Sequence, residues 1–304
     1  MATEYVVPTS DAHWHALRHG VVSSTESAAL FGLSPYCTAF ELWHRKRAAE
    51  PPVFEASERM EFGNLFESAI AKAASRKLGW VHEPFKEFAI DTERRIGASF
   101  DYRLIDPDGN KRILECKNVD GLQFMRGWEE TEYGLEAPAH IEMQVQHQLE
   151  VTGYETAHIA AVVGGNRLVI LDRQRDRAVG AAIVERIAEF WRSVESGVAP
   201  EPDFAMDAAF IADLYHYAEP GKVIQGTDAI REACVAYTEA AARAKEAQEV
   251  KDAEKARILT LIGDAERVML DGFNVSAGVV SRGEYIVKAT TYRNLRITAK
   301  RGLQ

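Results

Sequence analysis

Residues 97–120, GASFDYRLIDPDGNKRILECKNVD, constrain the fold more than any other segment of this chain. Two runs of alternating apolar and polar residues flank Asp106-Pro107-Asp108-Gly109-Asn110. Proline presets a turn φ, glycine supplies a positive φ, and Asp and Asn bond their own backbone, so the pentapeptide predicts a tight reversal between antiparallel strands. With a turn over residues 107–109, Asp106 faces Asn110, and stepping back along both strands sets Asp101 opposite Glu115. Side chains on a strand alternate faces, so Glu115 and Lys117 share one, and Asp101 joins them in this register. A slip of one residue would send Asp101 to the other side.

Two acids placed opposite each other repel, at a cost of up to about 1 kcal/mol on an exposed sheet. Burial raises that cost or forces one of them to take a proton. A hard divalent cation such as Mg²⁺ removes the conflict, because it takes carboxylate, carbonyl and water oxygens. The Cys116 carbonyl lies between the two positions that face the site and is a further candidate ligand. Lys117 could orient a nucleophile or stabilise charge on a phosphate. An exposed hairpin with a solvated lysine is the plain alternative, and the D…ExK spacing by itself does not separate the two.

Around this hairpin the chain reads as mixed α/β. DAHWHALRHG predicts a helix stopping at Gly20, SSTESAALFG a segment capped by Ser or Thr and ending at Gly32, and SPYCTAFELWHRKRA a restart after Pro35. In RMEFGNLFESAIAKAASRKLG an apolar stripe of Phe62, Phe66, Ile70, Ala73 and Ala74 predicts a further helix. Residues 87–91 and 96–106 read as strands and 111–119 as the returning one. After an irregular stretch, residues 139–154 predict a helix with Ile141, Val145 and Leu149 on one face. Residues 156–174 predict a hairpin turning at Gly164-Gly165-Asn166, followed by an amphipathic helix to about residue 197. APEPDF, beyond residue 198, marks a boundary. The division expected is a core over residues 1–200 and an extension over 201–304, with an Ala/Glu/Lys-rich helix at 228–263. Two β-like pieces, 273–283 and 284–300, close the chain.

The 304 residues are 46 % hydrophobic and 27 % charged, an ordinary balance for a globular chain. No apolar run approaches the roughly 18 residues a membrane span needs, and the start lacks a secretory signal, so a cytoplasmic location is expected. Cys37, Cys116 and Cys234 lie far apart, which excludes a disulfide framework and a four-cysteine metal site within one chain. The formal net charge of −10 argues against a generally basic nucleic-acid coat but leaves room for a local basic strip. His13, His15, His19, His140 and His147 show no metal-ligand spacing and read as structural.

Three further segments bear on function. GNLFESAI sets Glu67 on an otherwise apolar helix in a G-x-x-x-E arrangement. QVQHQLEVTG places Gln144 and Gln148 four residues apart on one helix face. WHALRHGVVSSTESAALFGLSPY lies near the start. In this order, across roughly residues 10–200, the chain resembles the lambda-exonuclease-type, YqaJ-like viral recombinase family, within the restriction-endonuclease-like nucleases with the PD-(D/E)XK motif. Ala-Ser-Phe-Asp stands where the motif's name has Pro-Asp, a tolerable change because the proline is not a ligand.

The resemblance implies a restriction-endonuclease-like core, a central mixed sheet flanked by helices, and Mg²⁺-dependent hydrolysis of DNA (Mn²⁺ substituting) by 5′-to-3′ digestion of one strand from duplex ends. Carried over, Asp101 and Glu115 are metal ligands with Glu67 and the Cys116 carbonyl, Lys117 is the catalytic lysine, and Gln144 the active-site glutamine. Arg18 and Thr25 take the positions that bind a 5′-phosphate, which suits a guanidinium fork and a hydroxyl. Gln148 is grouped with the DNA-binding residues. A ring-shaped homo-oligomer, a single-strand annealing protein as partner and a bacterial host cytoplasm are implied with them. Rival readings are an endonuclease of the same fold and a catalytically silent DNA-binding subunit.

Overall fold

The computed structural model describes residues 3–51, 57–132, 134–284, 289 and 292–297. The chain opens with β1 (Glu4–Val6), α1 (Asp11–His19), β2 (Val22–Ser23), α2 (Ser27–Leu30), α3 (Ala39–Arg47) and α4 (Glu58–Leu78). Five strands follow: β3 (Val81–Pro84), β4 (Phe88–Asp91), β5 (Ile96–Ala98), β6 (Tyr102–Ile105) and β7 (Lys111–Val119). Next come α5 (Gly121–Gly127), β8 (Glu129–Thr131), β9 (Gly134–Glu136), α6 (Ala139–Thr152), β10 (Thr156–Val163), β11 (Arg167–Gln174) and α7 (Arg177–Ser196). The chain continues through α8 (Ala208–Leu214), α9 (Asp228–Ile262), β12 (Arg267–Leu270) and β13 (Phe273–Ser276).

Two sheets carry the fold. One has the order β11-β10-β7-β6-β3, with β7 and β10 parallel and the other pairs antiparallel, so the sheet is mixed as expected. The other has the order β1-β4-β5-β2. Tyr102 pairs with Leu114 and Ile105 with Lys111, and the Asp106 amide donates to the Asn110 carbonyl, which is the register the turn predicts.

Residues 96–106 do not form the single strand expected of them. β5 belongs to one sheet and β6 to the other, with Ser99, Phe100 and Asp101 crossing between them. Phe100 is buried there and stacks on Phe85 with ring centroids 4.1 Å apart. Gly97 permits the close packing of β5 on its neighbours: a Cβ on it would lie 2.7 Å from the Phe88 ring and 2.9 Å from Val21.

The main core gathers Ile141, Val145 and Leu149 of α6, as the spacing predicts, with Ile159 of β10 and Ile183, Ile187 and Trp191 of α7. α4 does not bury its whole apolar stripe. Ile70, Ala71 and Ala74 pack on Leu104 and Leu114, so Ala71 takes the place expected of Ala73, while Phe62 and Phe66 are 47 % and 46 % exposed. The stretch expected to be irregular holds α5 and the β8–β9 hairpin.

The chain divides into two units, Met1–Phe210 and Ile211–Gln304. The boundary falls about ten residues beyond the expected one because the segment after APEPDF packs on the first unit. Thr38 Oγ1 donates to Asp207 Oδ1 at 2.6 Å, and Phe210 packs edge-on against Phe40. In the second unit the 35-residue α9 is capped by the Thr227 hydroxyl and buries none of its residues. β12 and β13 form a hairpin, so the expected strand at 273–283 is shorter and its partner, Arg267–Leu270, precedes it. Of the piece expected at 284–300, residues 284, 289 and 292–297 carry no strand and the remainder lies outside the described residues. No helix among the described residues is long and apolar enough to cross a membrane.

Candidate active site

The place where the chain leaves one sheet for the other opens a gap beside β7, because β6 begins only at Tyr102. Beyond Leu114 the edge of β7 has no strand partner on that side among the described residues. The Cys116 amide is satisfied instead by the Asp101 carboxylate, Oδ2 accepting at 2.7 Å. N–H and C=O of one strand residue point to the same side, so the Cys116 carbonyl is directed at the same gap.

Glu115 is 2 % exposed, and both of its oxygens are held by side chains. Lys117 Nζ donates to Oε1 at 2.6 Å and Gln144 Nε2 to the same oxygen at 2.7 Å, while Gln148 Nε2 donates to Oε2 at 2.8 Å. Lys117 also donates to Gln144 Oε1 at 3.1 Å, closing a triangle of lysine, glutamate and amide. Residues four apart on a helix share a face, which is how α6 brings Gln144 and Gln148 to one carboxylate. Gln148, grouped above with the DNA-binding residues, is fully buried, and its amide spans Glu115 and the Ser99 carbonyl. Between the two glutamines His147 is buried as well, its Nε2 donating to the Gly97 carbonyl at 2.9 Å.

Glu67 of α4 and Asp101 line the same cleft, about 320 Å³ in volume, with Trp14, Ser99 and Tyr102. Burial raises the carboxyl of Asp101 well above its ordinary range, and the charges of Glu115 and Glu67 raise it further against the pull of Lys117. Glu67 is raised by burial and then by Glu115. Burial lowers Lys117 but the acids outweigh it and hold the ammonium charged. Three carboxylates thus face one ammonium. Among the described residues no group of three His, Cys, Asp or Glu side chains stands close enough to hold a metal ion by itself. The donor chemistry nonetheless suits a hard divalent cation, since oxygen ligands and an excess of negative charge meet at a gap with a free carbonyl edge. Asp101, Glu115, Glu67 and the Cys116 carbonyl are the groups that could hold it.

The other expected pair also comes together. Arg18, in the last turn of α1, donates through Nη2 to Thr25 Oγ1 at 3.0 Å. Its guanidinium lies over Trp14, 4.5 Å from the ring centroid, and Trp14 lines the cleft that holds Asp101. Sequence reasoning missed Lys46, which reaches into this corner. Its position in the basic run His44-Arg45-Lys46-Arg47 gave no sign of burial, yet it is 8 % exposed.

Residues 13–155 match the family model of the YqaJ-like viral recombinase domain. The protein YqaJ of Bacillus subtilis (strain 168) is 31 % identical over 258 residues, covering 79 % of this chain and 78 % of YqaJ. Among solved structures, an alkaline exonuclease of Laribacter hongkongensis, LHK-Exo, superposes with a TM-score of 0.49 at 18 % identity, over 66 % of this chain and 98 % of the other. A phage-related exonuclease of Haemophilus somnus 129PT gives 0.44 at 15 %, over 61 % and 98 %.

Proposed function

This chain belongs to the YqaJ-like viral recombinase family, and we propose that it is a metal-dependent exodeoxyribonuclease acting on duplex DNA ends. One observation carries the reading: Asp101, Glu115 and Lys117 meet where a strand edge is left open, and Glu67 lines a cleft with Asp101. A nuclease with the D…ExK spacing needs crowded acids and a lysine at one place.

Bound Mg²⁺ or Mn²⁺ would lower the pKa of water and neutralise charge on the phosphate. The chain's own residues do the remaining work. Gln144 and Gln148 fix Glu115 so that its carboxylate cannot rotate away from the site. Lys117, held charged beside Glu115, orients the attacking water and offsets negative charge growing on the phosphoryl oxygens. Asp101 keeps one oxygen on the Cys116 amide and turns the other to the cleft. Arg18 and Thr25 anchor a terminal 5′-phosphate, and the indole of Trp14 keeps the guanidinium in place. Anchoring by the end phosphate gives 5′-to-3′ polarity, and resection of that kind serves single-strand-annealing recombination with an annealing protein. A homo-oligomer enclosing the duplex belongs to the same reading.

The test is a gel of end-labelled DNA with and without divalent metal. Linear duplex bearing 5′-phosphates is expected to be degraded with Mg²⁺ or Mn²⁺, untouched in chelator, and covalently closed circles should survive. Cutting of the circles would make the protein an endonuclease. Full activity in Lys117→Ala would remove the lysine from the mechanism, and binding without cleavage under any divalent ion would leave a DNA-binding subunit.

A further inference from the structure

Lys46 stands near the end of α3 and uses its donors on one small corner of the fold. Its ammonium donates to the Arg18 carbonyl at 2.8 Å and to the two oxygens of Glu26 at 3.1 and 2.8 Å. An ammonium has three N–H donors, so the set is complete. Glu26 Oε2 also accepts from the Ser23 amide at 2.8 Å, which ties the carboxylate to the loop that carries Thr25. Glu26 is thereby fixed as an anion next to the arginine expected to bind an anion. Its carboxyl lies below the ordinary range: burial pushes it up, but Lys46 and then Arg18 draw it down further.

That placement would be self-defeating without the lysine. Arg18 Nη2 stands 3.9 Å from Glu26 Oε1, beyond hydrogen-bond range. The guanidinium therefore keeps donors for an outside ligand and spends one on Thr25 Oγ1. With Lys46 gone, Arg18 is the cation left nearest to Glu26, and a small rotation would close the pair and occupy the donors a phosphate needs. The bond from Lys46 to the Arg18 carbonyl also fixes the backbone of the last turn of α1.

We propose that Lys46 is a positioning residue that sequesters Glu26 and so keeps Arg18 open to a terminal phosphate. The inference rests on the reading of Arg18 and Thr25 as the phosphate anchor. It reaches beyond that reading by making end recognition depend on a competitor carboxylate and the buried ammonium that restrains it.

The experiment compares steady-state digestion of duplexes with 5′-phosphate and 5′-hydroxyl ends by the parent chain, Lys46→Met, and Lys46→Met combined with Glu26→Gln. The parent should prefer the phosphorylated end. Lys46→Met should lose that preference by roughly 10- to 100-fold, the range of one charge-assisted hydrogen bond, through KM, with kcat on the phosphorylated end changing by no more than about twofold. Glu26→Gln in the same chain removes the competitor and should restore the preference, which repair of stability alone would not do. Should Lys46→Met not fold, Lys46→Gln serves the same comparison, since its amide can still donate to the Arg18 carbonyl without neutralising Glu26. A parent that treats both ends alike would remove the anchor reading itself. A discriminating parent whose folded Lys46 variant discriminates equally well, or a double variant that fails to recover, would overturn the role of Lys46.

Discussion

Replacing His147 by glutamine should make the fold less sensitive to acid. His147 is fully buried, donates Nε2 to the Gly97 carbonyl, and has no partner for Nδ1 among the described residues. Burial pushes its pKa down to about 4, against the upward pull of the Gly97 bond and of Glu26 and Glu150. In the unfolded chain the ring returns to about 6.5. A depressed value means that the folded state binds the proton later than the unfolded one. The stabilisation is therefore whole above pH 6.5, and it is lost as the pH falls toward 4. A gap of two to three units at about 1.4 kcal/mol each amounts to roughly 3 kcal/mol, of which about 2 is gone by pH 5. That is a large share of the 5–15 kcal/mol typical of a folded protein. Glutamine keeps a donor for the Gly97 carbonyl and carries no proton to gain. Urea unfolding followed by tryptophan fluorescence at pH 7.5 and pH 5 measures the difference. The parent should lose about 2 kcal/mol more than His147→Gln over that interval. Equal losses would mean that the imidazole is not held neutral, and that the anchoring of α6 to β5 does not depend on its protonation.

Other outcomes follow from the same geometry. Asp101→Asn should abolish cleavage yet, in chelator at pH 7.5, unfold later than the parent by about 1 kcal/mol, the cost of like charges set opposite each other. Because the Asp101 carboxyl is raised by burial and by Glu115 and Glu67, the parent loses stability as pH rises through its folded value, so the advantage of asparagine should shrink on acidification. Calorimetry that finds the variant less stable at every pH would refute the crowding. Gln148→Leu removes the donors to Glu115 and to the Ser99 carbonyl and should cost about 2–4 kcal/mol in urea melts, together with a fall in kcat. Unchanged stability and rate would show that Glu115 needs no amide on Oε2. Phe62→Ser should leave the melting point within about 2 °C, as expected of a half-exposed side chain, and a large drop would mean that the aromatic pair with Phe66 belongs to the core.

The hairpin was legible because its turn chemistry dictates the register: a proline, a glycine and two residues that bond their own backbone leave one way to pair Asp101 with Glu115. α6 and α7 were legible because their apolar periods are strong and each ends at a glycine with positive φ, Gly153 and Gly197. The passage of residues 99–101 from one sheet to the other was not legible, since alternation of period two continues unbroken through it. Only the partner strands, far along the chain, decide which sheet each half joins. Periodicity likewise cannot say how much of a stripe finds a neighbour, which is why Phe62 and Phe66 were expected inside. Lys46 was hidden for a different reason: a lysine in a basic run reads as solvated, and its burial depends on Glu26 lying twenty residues away. Gln144 and Gln148 were visible as a pair, but that both serve one carboxylate required α6 to be seen against β7.

The amides that steady Glu115 come from a helix about thirty residues further along the chain, whereas Asp101 and Lys117 arrive with the hairpin itself. While the protein is being synthesised, the hairpin therefore emerges with Lys117 on Glu115 and the Cys116 amide on Asp101, but without the two amides that hold Glu115 from α6. A two-stranded hairpin is marginal on its own, so its full protection should come once β10 and α6 pack on it. Truncation just before residue 139 should accordingly yield a chain whose hairpin amides exchange freely with solvent.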